Sequence, residues 1–183
     1  MADLASFLTI NRRKFVPVVP FDKSVDTVAI LDFTASGTSF TPAMFADGNS
    51  FATAVNRLIR QAGARYGYGG YGEHRTIYNN VSHFQSADGS EPRRLHLGTD
   101  IWGEAGTPVM APFGGLVHSM AYNGALGDYG ATVILSHQLE DRIFYTLYGH
   151  LSLKDIDKLR QGIYIVAGET FAHFGTAQSV SSR

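Results

Sequence analysis

Between residues 109 and 166 the chain is cut by glycine, proline and asparagine into short apolar runs, and this punctuation limits the fold more than any other feature. The runs are 109–111, 115–120, 132–136, 142–148 and 163–166. Each is too short for a stable helix and rich in β-branched or aromatic residues. Such strands, joined by turns, assemble as antiparallel sheets. The expected fold is therefore mainly β, with antiparallel sheets flanking a groove and one or two helices from the N-terminal part.

The N-terminal part reads differently. Residues 1–20 suggest a short lead helix or an irregular arm, then an extended piece limited by Pro17 and Pro20. Residues 25–34 read as a strand. Phe51, Val55, Leu58 and Ile59 then fall on one helical face with Asn56, Arg57 and Arg60 opposite, and Gly63 is a natural stop. Residues 77–84 read as extended and 87–92 as a turn, while Ser152 starts a short helix through Arg160 that Gly162 ends. The expected organisation is an appendage over 1–63, a β domain over 64–175 and a frayed polar tail over 176–183.

The chain has 183 residues and no cysteine, so any disulfide or thiolate metal site is excluded. A net charge of −1 gives no basis for nucleic acid or an anionic membrane as partner. The N-terminus puts an acid before its short apolar run and a basic cluster after it, the reverse of a signal peptide, and no apolar run approaches the ~20 residues of a membrane span. The expected location is cytoplasmic.

His96 and Asp100 are the first candidate metal ligands. Gly98 and Thr99 between them argue against a helix. A straight strand would carry the two side chains about 13 Å apart. Gly98 can supply the bend that brings them together, and an imidazole with a carboxylate suits zinc. A His and an Asp at this spacing also end strands for ordinary reasons.

The flanks of the pair are more specific. His96-Leu-Gly-Thr-Asp100 is followed by Gly106-Thr-Pro-Val-Met-Ala-Pro112, Gly115-Leu-Val117 and Tyr148-Gly-His-Leu-Ser152. In order and spacing these resemble the lysostaphin-like zinc endopeptidases, over roughly residues 66–175. The resemblance implies the duplicated hybrid motif fold, zinc held by His96 and Asp100, and hydrolysis of peptide bonds in peptidoglycan-type substrates. It also implies that His150 stabilises the oxyanion or relays a proton. The lead-in Gly69-Gly-Tyr-Gly-Glu-His-Arg75 is similar to that of one branch of the family. Read from its residues, the whole Gly/Tyr-rich segment 64–75 is a shaped loop beside the cleft, with Tyr71, Glu73 and Arg75 as substrate-binding candidates. Glu73 and Arg75 can equally pair with each other as structural ions.

The family's third zinc ligand comes from a His-x-His pair on a final strand. The seven histidines at 74, 83, 96, 118, 137, 150 and 173 contain no such pair. The active site then reads as truncated or degenerate, zinc as weakly bound or absent, and catalytic competence as open. A missing final strand would leave a sheet edge for self-association. A non-catalytic relative that binds a peptide or protein partner is the alternative. A sugar-phosphotransferase-type carrier is a poorer one, since its chemistry wants paired imidazoles.

Overall fold

The computed structural model describes residues 3–34, 36–37, 40, 48–75, 95–124 and 128–176. The expected extended piece at 77–84, the turn at 87–92 and nearly all of the polar tail lie outside these. The fold is mainly β, and almost all strand pairs are antiparallel. The chain forms two compact units, Met1–Phe21 with Ala105–Arg183, and Asp22–Glu104.

The first unit opens with α1 (Leu4–Ile10), whose N-cap Asp3 accepts a hydrogen bond from the Ser6 amide at 2.8 Å. That cap satisfies one of the helix's orphan donors. The proline-limited segment after it is extended: the Val16 amide donates to the Pro112 carbonyl, and the Val18 carbonyl accepts from the Met110 amide. Its sheet strands follow as β6 (Pro108–Met110), β7 (Gly115–Asn123), β8 (Gly130–Leu139), β9 (Arg142–Leu151), β10 (Tyr164–Ile165) and β11 (Thr170–His173). Strands β10, β7, β8 and β9 lie side by side in that order, and β11 pairs with β6. Val117, Val133, Leu135, Leu151 and Ala172 meet in a core that excludes water almost completely. Each of the valines and leucines contributes about 1.5–3 kcal/mol by burial.

α3 (Leu153–Ile156) is a single turn, shorter than the expected run to Arg160, and the Ser152 hydroxyl makes no capping bond. Gly162, at φ 83°, still marks the turn into β10. β11 has neighbours on both sides. Beyond its ladder with β6, the Ser152 amide donates to the His173 carbonyl and the Gly175 amide to the His150 carbonyl.

The second unit contains β1 (Val28–Leu31), α2 (Gly48–Gln61), β2 (Tyr66–Gly69), β3 (Glu73–His74), β4 (Leu95–His96) and β5 (Asp100–Trp102). β1 and β2 pair in parallel, Val28 opposite Tyr66, with α2 as the crossover that a parallel pair requires. β5 adds antiparallel to β2, and β3 pairs with β4. α2 presents Ala54, Val55 and Ile59 to Ala29, Leu31 and Phe33. Phe33, Phe40, Phe51 and Trp102 form an aromatic cluster with ring centroids 4.7–6.2 Å apart. The Gly/Tyr-rich segment is a loop only from Gly70 to Gly72; its first half is a strand, with Tyr66 buried.

His137 lies two residues before the end of β8 and is 1% exposed. Its Nδ1 is 3.1 Å from the Gly114 carbonyl and its Nε2 2.7 Å from the Thr146 hydroxyl. A carbonyl can only accept, so Nδ1 carries the proton and Nε2 accepts from Thr146. Burial holds the imidazole pKa below its ordinary 6.5. A neutral native imidazole facing a titrating unfolded one contributes stability that is complete above about pH 6.5 and declines as pH falls below it. Urea titrations at several pH values should show this decline in the parent chain and a shallower one in His137→Gln.

Helix α2 sits so close to β2 that a Cβ on Gly67 would lie 2.7 Å from Leu31 Cδ1 and 3.0 Å from Ile59 Cδ1. Gly67→Ala should therefore destabilise the chain by about 1–3 kcal/mol, the usual cost of overpacking, read as a lower urea midpoint with an unchanged slope.

Candidate metal centre

His96 ends β4, and Asp100 begins β5 four residues later. The turn between them brings the side chains together: His96 Nε2 stands 3.5 Å from Asp100 Oδ1. Gly98 makes that turn possible. A Cβ there would lie 3.1 Å from His96 Nε2, so the ring folds back over the space a side chain would need.

The imidazole is held from behind. His96 Nδ1 lies 3.3 Å from the Gly70 carbonyl, and the Gly72 amide donates to the His96 carbonyl at 2.7 Å. Because Gly70 offers only an acceptor, a proton sits on Nδ1, and Nε2 is the nitrogen directed at Asp100. This orientation is the one a metal-ligating imidazole uses, with its other nitrogen tied to a carbonyl.

The carboxylate is held as firmly. Asp100 Oδ2 accepts from Arg75 Nη1 at 2.6 Å, and Arg75 Nε donates to Glu73 Oε2 at 2.7 Å. Glu73 Oε1 in turn accepts from the Phe33 amide at 2.9 Å. The guanidinium lies on the Phe33 ring, 4.9 Å from its centroid. Arg75 and Glu73 side chains are only 4% and 9% exposed, against 27% for Asp100. Gly69, opposite Asp100 in the β2–β5 ladder, provides the space: a Cβ there would come within 3.0 Å of Arg75 Nη2 and 3.3 Å of Asp100 Cβ.

Four of the six candidate residues, His96, Asp100, Glu73 and Arg75, thus share one cluster in the second unit. Tyr71 stands in the adjoining loop and is 70% exposed. Arg75 and Glu73 take the structural-ion arrangement, and their burial leaves little surface for a ligand.

His150 belongs to the first unit. It lies near the end of β9 in the left-handed region, φ 55°, within the register shift that falls opposite Ala131–Val133. A non-glycine residue in that region is uncommon and often marks a functional site. The His150 amide donates to the Tyr129 carbonyl at 2.6 Å, and the side chain is exposed. Tyr148, two residues earlier, is partly buried edge-on to Phe171, and desolvation pushes its phenol up to about 12.

A feature the sequence did not announce is the pairing of His173 Nδ1 with Asp155 Oδ2 at 3.0 Å, with the His173 side chain 42% exposed rather than packed. Only the tertiary fold brings 155 and 173 together. The Gly70 carbonyl that orients His96 is backbone and leaves no compositional signal at all.

Among the described residues no group of three or more His, Cys, Asp or Glu side chains converges to hold a metal. His96 and Asp100 are a pair. Residues 94–183 match the family model of peptidase family M23. Just under half of the chain is thus similar to that family, which is one of peptidases and generally zinc-dependent. Compared with curated proteins and with solved structures, the chain finds no significant match. No helix among the described residues is long and apolar enough to cross a membrane.

Removing Arg75 while keeping both carboxylates leaves a nearly buried Glu73 uncompensated. Arg75→Met should cost about 3–5 kcal/mol, the usual penalty for breaking a buried pair, measured by urea unfolding. Glu73→Gln/Arg75→Met should recover most of it.

Proposed function

We propose that this chain is a zinc metallopeptidase-type domain whose His96 and Asp100 supply one edge of a metal site, acting on peptides of the peptidoglycan cross-bridge type. The observation that carries this is the 3.5 Å separation of His96 Nε2 and Asp100 Oδ1. Two ligands at about 2.0–2.2 Å from a tetrahedral ion stand about 3.4 Å apart. The donors are of the right kind, the orientation of His96 directs the correct nitrogen, and Arg75 claims only the far oxygen of Asp100.

The fit is to an edge and not to a complete site. His96 and Asp100 would hold zinc from one side. When bound, zinc polarises a scissile carbonyl and makes water nucleophilic at neutral pH. His150, by its match to the Tyr-x-His-Leu-Ser motif, is assigned hydrogen-bond donation to the oxygen that gains charge, a role typically worth ~10²–10³ in rate. Tyr71 is assigned a substrate contact, which its exposure permits. A catalytic zinc generally has three protein ligands and an open position. With two, this polypeptide should bind zinc weakly and cleave peptides poorly.

A second reading, a peptide- or protein-binding relative without catalysis, is favoured by the lack of a third converging ligand among the described residues. Metal analysis separates the two. Zinc back-titration after chelation should give a dissociation constant far above the nanomolar range, and His96→Ala should remove even that binding. Stoichiometric zinc at nanomolar affinity, with cleavage of a pentaglycine peptide that His96→Ala abolishes, would show that a further ligand completes the site. Zinc binding unaffected by His96→Ala would overturn the proposal.

A further inference from the structure

We infer that Arg75 and Glu73 are metal-ligand positioning residues: a buried Glu73–Arg75–Asp100 relay that turns the Asp100 carboxylate so that one oxygen, and only one, faces the metal. The inference rests on the zinc reading of His96 and Asp100. It differs from a substrate-binding role for these two side chains, because neither offers much surface to a ligand.

The geometry is that of a built device. A free carboxylate at the start of a strand rotates about its Cβ–Cγ bond and can present either oxygen or both. Here Arg75 Nη1 takes Oδ2 at 2.6 Å, which leaves Oδ1 on the His96 side. Arg75 is itself clamped. Glu73 holds its Nε, and the Phe33 ring supports the face of the guanidinium. Glu73 is anchored in turn by the Phe33 backbone amide. Gly69 leaves the slot in which the guanidinium lies against Asp100 Cβ. Each link of the relay is thus tied to backbone or to a ring.

Charge supports the same reading. Two carboxylates and one guanidinium leave the cluster with one net negative charge, which offsets part of a divalent cation's charge. Lysine could not replace Arg75, because a single ammonium cannot span both carboxylates in the fixed fork that Nε and Nη1 provide. The relay also explains why the lead-in segment is needed. Gly70 orients one ligand and Glu73 with Arg75 orient the other, so both ligands are aimed from the same short stretch, which lies before the family-matched region.

The test is a cobalt(II) titration of the full chain, followed by visible d–d absorption, with the apo melting temperature recorded for each variant. Outer-shell partners of metal ligands typically contribute about 10- to 100-fold in affinity. Arg75→Lys should therefore weaken cobalt binding by about that factor and change the d–d spectrum of what still binds. Glu73→Gln/Arg75→Met, which removes the buried charges together and keeps the acceptor for the Phe33 amide, guards against a merely unfolded variant. It should melt near the parent chain and show the same loss of cobalt affinity. Parent-like cobalt affinity and spectrum in both variants, with binding still abolished by His96→Ala, would overturn the relay and leave the zinc reading standing. Cobalt binding that survives His96→Ala would overturn the zinc reading, and the relay as a metal-positioning device with it.

Discussion

A single guanidinium, that of Arg75, satisfies two acidic side chains in a place where little water can reach them. Neither Glu73 nor Arg75 would tolerate that burial alone, since an isolated charge out of water costs several kcal/mol. The pair is tolerable because three charge-assisted bonds and an aromatic face meet there: Arg75 to Glu73, Arg75 to Asp100, the Phe33 amide to Glu73, and the Phe33 ring beneath. The strand register follows from it. Gly69 must lie opposite Asp100, and Glu73 opposite His96, for the bonds to close.

The second unit therefore combines two kinds of specification. Its aromatic cluster of Phe33, Phe40, Phe51 and Trp102 supplies burial without direction. The ion cluster supplies direction with little net burial gain. Phe33 belongs to both, through its ring and its amide. This coupling ties the placement of Asp100 to the packing of the aromatic cluster.

The first unit is specified differently. β7, β8 and β9 form a long antiparallel meander whose inward positions are largely aliphatic, and the buried His137 has both ring nitrogens satisfied. Two register shifts, between Val117 and Ser119 and between Ala131 and Val133, interrupt the ladders. The second contains the left-handed backbone at His150. Strain and irregular pairing coincide there, as expected where a side chain is re-aimed at a sheet end.

Much of this was legible in the residues. The runs at 115–120, 132–136 and 142–148 lie within β7, β8 and β9, because their Gly and Asn boundaries and β-branched content act locally. The α2 face and its Gly63 stop follow from helical periodicity. The bend at Gly98 and the pairing of His96 with Asp100 were readable because the two residues are neighbours in sequence. The tertiary structure alone decided the rest. The parallel pairing of β1 with β2, the Gly70 carbonyl behind His96, the reach of Arg75 to Asp100 and the contact of His173 with Asp155 all join groups separated by many residues. Periodicity and motif spacing report only what a residue's near neighbours impose. Which buried charge finds which partner depends on how strands are stacked and registered, and that is set by the packing of the whole unit.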